Sequence, residues 1–385
     1  MKKKVINKVI SMVLTGAMSV FLLSACGVAG GSGSTTGGAA STGSTESAAA
    51  SQNTASGNTT KIALLLSGNL GDMSFLDSGN NGVQEIAKTY GAEVKVVEMG
   101  TDATKYEANV LDASDAGYDI IIGSGWQLQE PFQDVAPDYP DTDYIIYDAA
   151  VDYSAGDYSN VYSITYKANE ASYLAGVMAA SMTKTGTLGF LGGMDGAGIN
   201  DFLIGYIEGA QHVNPDIKII SGYVGSYADS PKCKEMALAQ YNQGADFVFT
   251  AAGASGIGTL EAAKETGKWA IGVDSDQAML YKDSDPAQAN LIPASVLKNI
   301  DKTLVRAYGL YVDGKLPLGK EESLGLPDEA VGLSDNEYYQ KLVPDDVKKA
   351  IDDAKTKIAS GEITVTSAYG LSTDKVTEII NSVAP

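Results

Sequence analysis

From Lys61 onward the chain alternates short apolar runs with longer stretches of helical period. KIALLLS (61–67), EVKVVEM (93–99), YDIIIGS (118–124) and DYIIYDA (143–149) predict strands, with helices expected over 73–89, 103–116 and 128–137. Nearly continuous β-branched strands at this spacing predict a parallel sheet covered by helices on both faces. After a helix over 169–183 the rhythm restarts. GTLGFLGG (186–193), IKIISGYVG (217–225), DFVFTAA (246–252) and WAIGVD (269–274) read as strands, separated by helices over 196–212, 231–243 and 256–267. A helix over 296–313 is expected to return the chain to the first half. Beyond it come a Gly/Leu stretch (324–333) and helices over 344–359 and 373–382.

Two successive α/β series of similar make-up predict a two-lobed α/β fold with a ligand cleft between the lobes. In open α/β sheets ligands sit beyond the carboxyl ends of the strands. The expected division is 61–165 for lobe one, 166–295 for lobe two, and 296–385 for the return helix and a C-terminal segment completing lobe one.

The pattern before Lys61 is different. Lys2, Lys3, Lys4 and Lys8 precede the apolar run VISMVLTGAMSVFLL and then Leu23-Ser24-Ala25-Cys26. A basic start, a short apolar core and small residues before a cut site predict a secretory signal peptide over 1–25. The run is shorter than the ~20 apolar residues that span a bilayer. Leu-Ser-Ala-Cys also resembles the bacterial lipobox, which implies acylation of Cys26 and attachment to the membrane through lipid. Residues 27–60 are almost wholly Gly, Ser, Thr, Ala and Asn, a composition that cannot bury a core and predicts a flexible tether.

Composition narrows the function. A formal charge of −21 argues against nucleic acid as a partner. Two cysteines, one of them Cys26, leave Cys233 without an intramolecular partner, and no CxxC pair is present. His212 is the single histidine, which excludes a His-rich metal site and most Ser-His-acid triads. No cofactor and no metal are expected.

Candidate chemistry lies just past the strands. Asp72, in Gly71-Asp72-Met73-Ser74-Phe75, suits either a helix cap or a ligand contact. Phe75 points into the core or serves as a stacking platform. Trp126 and Asp148 follow the third and fourth strands, and Trp126 either faces the cleft or wedges between elements of its lobe. In the second half, Gly253–Gly258 is neither GxGxxG nor GxxxxGK[ST] and reads as a turn bringing backbone groups near a ligand. Asp274 and Lys298 could share vicinal hydroxyls, since carboxylates accept and ammonium groups donate. A Lys298–Asp301 surface pair is the alternative.

Several of these segments resemble the basic membrane protein family, the substrate-binding lipoproteins of ABC transporters for purine nucleosides. They are Gly71-Asp72-x-Ser74-Phe75, Phe190-Leu191-Gly192-Gly193-Met194-Asp195, Gly244-Ala245-Asp246, and Ala251-Ala252-Gly253 with Gly256-x-Gly258. Gly272-Val273-Asp274-Ser275-Asp276-Gln277 and Ser295-Val296-x-Lys298-Asn299-x-Asp301 are the most specific. The likeness runs in order from about residue 61 to 315. It implies the type I periplasmic-binding fold and a nucleoside clamped between the lobes. Carried over, it makes Asp72 a base contact and Phe75 a stacking ring, and sets Phe202 and Tyr227 on the opposite wall. Gly253 becomes a backbone contact, and Asp274 and Lys298 hold the ribose hydroxyls. Asp148 stands in for an acidic contact from lobe one. Departures exist: Leu76 stands where asparagine is usual, Tyr227 where phenylalanine is usual, and Trp126 replaces a smaller aromatic.

The expected function is therefore a non-catalytic binding protein delivering a nucleoside to an ABC permease. It is expected to act as a monomer anchored by lipid on the outer face of the cytoplasmic membrane. The alternatives are a sugar-binding protein of the same fold and a sensor that does not take part in transport. A nucleoside hydrolase would need a metal or a positioned acid and base, for which the sequence supplies one remote histidine and no dense carboxylate cluster.

Overall fold

Five of the six positions of β1 (Lys61–Leu66) are buried, as a strand sandwiched between two helical layers requires. The computed structural model describes residues Thr59–Pro385; Cys26, the signal peptide and most of the tether lie outside the described residues. β1 pairs in parallel with β2 (Glu93–Glu98) and β3 (Ile120–Ser124). β4 (Asp143–Tyr147) and β5 (Val161–Tyr166) extend the sheet, giving the order β11-β5-β4-β3-β1-β2, where β11 is Lys320–Leu324. All its pairings are parallel.

The second sheet repeats the plan. β6 (Thr187–Gly192), β7 (Lys218–Tyr223), β8 (Phe247–Ala251), β9 (Trp269–Asp274), β10 (Ser295–Lys298) and β12 (Val331–Leu333) take the order β12-β10-β9-β8-β6-β7. β12 alone is antiparallel, against β10. In each sheet the strand order reverses once, between β1 and β3 and between β6 and β8. Side chains beyond the carboxyl ends of those pairs face open space. At the first reversal Ser67 and Ser124 tie the two strand ends together, with Ser67 N donating to Ser124 Oγ at 2.8 Å.

Helix Ala168–Met182 is buried along most of its length and packs on helix Ala197–Val213. Small residues allow the close approach: a Cβ on Gly209 would stand 2.0 Å from the Tyr173 carbonyl oxygen. His212 lies on this second helix, its ring 5.9 Å from that of Tyr173 and away from the strand ends. Cys233 is fully buried beside Thr259 Oγ1 (3.2 Å), in the setting of a packed small side chain.

Three expectations are corrected. The helix expected over 296–313 starts only at Ile300, and Ser295–Lys298 is a strand, so Lys298 ends β10 and does not open a helix. Four residues of modest strand propensity hold this form because β9 and β12 pair both edges. β5 was missed, since Ser163 and Thr165 interrupt its apolar pattern. Ser163 is nevertheless buried, with Tyr153 Oη at 2.9 Å from its hydroxyl. Finally, the C-terminal segment does not complete lobe one alone. β11 joins the first sheet, β12 joins the second, and helix Thr373–Ser382 packs on helix Ala197–Val213.

Candidate functional site

A cavity of about 240 Å³ lies between the carboxyl ends of the two sheets. All nine residues singled out in the sequence line it: Asp72, Phe75, Trp126 and Asp148 from lobe one, with Phe202, Tyr227, Gly253, Asp274 and Lys298 from lobe two.

On the lobe-one wall, Asp72 caps helix Phe75–Tyr90. Its Oδ1 accepts from Ser74 N (3.0 Å) and Asp77 N (3.1 Å), and its Oδ2 from Leu76 N (2.8 Å). Asp77 returns the contact, accepting from Gly71 N and Met73 N. Five amide donors around the helix start are thereby satisfied. Burial raises the Asp72 carboxyl above the usual range, and the three backbone bonds pull it back. Phe75 follows at once, its ring 5.3 Å from that of Tyr147 and tilted by 47°. Leu76 packs its δ carbon over Gly68, where a Cβ would meet it at 2.6 Å. Trp126 is 60% exposed and forms the rim of the cavity; it is not an internal wedge.

On the lobe-two wall, the Tyr227 ring lies directly on backbone. A Cβ on Gly193 would come within 2.4 Å of the ring, so the glycine is required for the tyrosine to sit there. Gly253 takes a left-handed φ of +55° under the same side chain. Phe202 is buried, with its ring edge against Phe249 and its face towards the Lys298 ammonium, 4.9 Å from the centroid.

Asp274 and Lys298 come from neighbouring strands, with Asp274 opposite Leu297 in the register. Lys298 Nζ donates to Asp148 Oδ1 at 2.7 Å and stands 5.6 Å from the ring centroids of Phe75 and Tyr166. The expected alternative, a Lys298–Asp301 pair, is not formed: the ammonium turns inward, joins the lobes, and is ringed by aromatic faces that favour a cation. Asp274 is buried and has a left-handed φ of 60°. Its carboxyl is pushed up to about 6 by burial, with Lys298 and Ser74 opposing and Asp148 and Asp72 adding to the rise. Between them the walls offer flat rings, a carboxylate acceptor and an ammonium donor around a small, partly open space. Among the described residues no group of three or more His, Cys, Asp or Glu is placed to hold a metal.

Sequence reasoning missed the contacts that join the walls. Ser74 Oγ donates to Asp274 Oδ2, Gln277 Nε2 to Met73 O, and Ser275 Oγ to Ser74 O. Ser74, Ser275 and Gln277 all lie inside recognised motifs, yet nothing local marks a partner 200 residues away. Ile199 and Val273, which also line the cavity, read as ordinary core positions.

The ABC transporter substrate-binding protein PnrA-like (Bmp) family model matches residues 59–368. Basic membrane protein A of Borreliella burgdorferi is 33% identical over 315 residues, covering 80% of this chain and 88% of the relative. The ABC transporter nucleoside-binding protein BmpA of Lactococcus lactis subsp. cremoris is 34% identical over 326 residues, covering 80% and 89%. Among solved structures, an ABC transporter solute-binding protein from Aeropyrum pernix superimposes with a TM-score of 0.75 at 28% identity, covering 84% of this chain and 97% of the other. The architecture is the type I periplasmic-binding fold, and the relatives are solute-binding proteins, not enzymes. The chain belongs to the Bmp family of PnrA-like ABC transporter substrate-binding proteins.

Proposed function

We propose that this protein binds a purine nucleoside between its lobes and delivers it to an ABC permease. In this reading it works as a monomer at the outer face of the cytoplasmic membrane, attached by lipid on Cys26. The observation that carries the proposal is that Asp274 and Lys298 line one cavity together with the Phe75 and Phe202 rings. A nucleoside offers the matching parts: an aromatic base to lie against rings, and a vicinal diol able to donate to a carboxylate and accept from an ammonium. Phe75 and Tyr227 flank the base, and Asp274 and Lys298 take the ribose hydroxyls. Asp72 reaches the base edge with the lone pairs its cap leaves free, and the Gly253 backbone contributes from the opposite side. The permease reads closure of the lobes as the sign of a loaded protein.

The test is mass spectrometry of the small molecule released when purified protein is denatured, together with thermal shifts against a nucleoside panel. A nucleoside in the released fraction and a raised Tm with adenosine, inosine or guanosine are expected. A pentose or hexose alone, with no shift from any nucleoside, would overturn the reading.

A further inference from the structure

Most polar side chains on the cavity wall are committed to other protein groups. Ser67 Oγ donates to Ser124 O at 3.0 Å, Asp72 accepts three backbone amides, Asp148 accepts from Lys298, and Asp274 accepts from Ser74. Gln127 is different. It lines the cavity, is half-buried, and its carboxamide takes part in no hydrogen bond among the described residues.

The turn that carries it is pinned. Gly125, with a left-handed φ of +76°, donates its amide to Tyr147 O at 2.9 Å and accepts from Leu128 N at 3.1 Å. Leu128 is fully buried, and a Cβ on Gly123 would meet its δ carbon at 2.9 Å. Between these anchors the chain displays Trp126, exposed on the rim, and Gln127, half-buried beside it. Gly125 leaves room for the amide: a Cβ there would stand 2.8 Å from Gln127 Oε1 and 3.7 Å from Phe75 Cε1 and Cζ. The carboxamide and the edge of the Phe75 ring thus flank the same glycine. Leu76, the residue after Phe75, offers the cavity only carbon.

A carboxamide presents a donor and an acceptor side by side in one plane. Left unpaired on a half-buried wall, both give up hydration without return, so a ligand edge with the complementary pair is favoured there. In adenine that pair is the N6 amino group with ring nitrogen N1 or N7, and in hypoxanthine it is O6 with N1–H. A base lying against Phe75 brings its edge to the group that flanks that ring.

We infer that Gln127 is a specificity-determining residue that reads the C6 edge of the base stacked on Phe75. The base named here rests on the nucleoside reading above, and Gln127 narrows it. Ring stacking accepts any flat base, and the diol contacts accept any ribonucleoside. Choice among bases needs a polar group at the base edge, and a site built to bond that edge rejects a base lacking the matching group.

Titration calorimetry of the full chain with adenosine, inosine and purine riboside tests this. Purine riboside has the same sugar and ring system but no substituent at C6. Wild-type protein is expected to bind adenosine or inosine about tenfold more tightly than purine riboside. In Gln127→Met, which keeps the length and removes both hydrogen-bonding groups, the preference should shrink to about twofold or less. Gln127→Ala should lose the preference in the same way with the space left open. The Tm of both variants should stay within about 2 °C of wild type, since the amide makes no bond in the free protein. A preference that persists in both variants, or one that is missing in wild type, overturns the inference. If wild type binds none of the three nucleosides, the nucleoside reading itself fails, and the assignment of Gln127 falls with it.

Discussion

Ser74 Oγ donates to Asp274 Oδ2 at 2.5 Å across the cleft, so the first turn of a lobe-one helix is bonded to the end of a lobe-two strand. Gln277 Nε2 to Met73 O (3.1 Å) and Ser275 Oγ to Ser74 O (3.2 Å) lie on either side of it. Met73 and Asp274 hold left-handed φ values of 52° and 60°, conformations that non-glycine residues adopt only when their surroundings impose them. The strained turns face one another, and the bonds between them act as a latch on the closed form.

Removing the latch donor tests this role. A hydrogen bond to a charged acceptor contributes about 1.5–3 kcal/mol. Ser74→Ala should therefore lower ligand affinity by roughly tenfold or more and shift the free protein towards open lobes. Small-angle scattering of the free protein, paired with calorimetric titration, reads both effects. An unchanged radius of gyration and affinity would dispose of the latch.

Asp274 gives binding a pH dependence. Its folded carboxyl is raised to about 6, chiefly by burial. Between the ordinary carboxylate range and pH 6 the free folded protein therefore holds a proton that the unfolded chain has released. Its share of stability is present at low pH and is lost as pH rises through about 6. Binding runs the other way. A diol held by the ionised carboxylate is favoured above that pH, so affinity should fall about tenfold per unit as pH drops below 6. Titration calorimetry between about pH 5 and pH 8 checks this, and an affinity that is flat over that range contradicts it.

The same residue sets the choice of sugar. Asp274→Asn should weaken ribonucleosides by two orders of magnitude or so, since one acceptor becomes a donor facing Lys298. A 2′,3′-dideoxynucleoside has no diol to lose and should bind the two proteins alike. Equal losses for both ligands would move the diol contact away from Asp274.

Lys298 supports the structure as well as the site. Its side chain is 5% exposed and joins Asp148 of the other lobe at 2.7 Å. Breaking one side of a buried pair typically costs about 3–5 kcal/mol, because the remaining charge is left unmatched. Lys298→Met should lower the Tm markedly, and adding Asp148→Asn should recover part of it. If the double variant is no more stable than the single one, the ion pair does not account for the loss.

Legible in the sequence were the two α/β series, the strand ends that carry chemistry and, with Phe202 reached only through the family resemblance, nine of the residues that line the cavity. Those signals are local: apolar runs mark buried strands, and a residue just past a strand must lie at the carboxyl edge of its sheet. The tertiary structure decided what each of these residues does. Asp72 is tied up as a helix cap, Lys298 ends a strand and crosses to Asp148, and Ser74 latches onto Asp274. The polar tail, which has no distinctive local pattern, is divided between the lobes, with β11 in the first sheet and β12 in the second. These roles depend on pairs 150 and 200 residues apart. Burial of Asp274 and Asp201 likewise arises only once the lobes have packed and Ser367 and Ala368 have closed over Asp201, and burial is what raises both carboxyls.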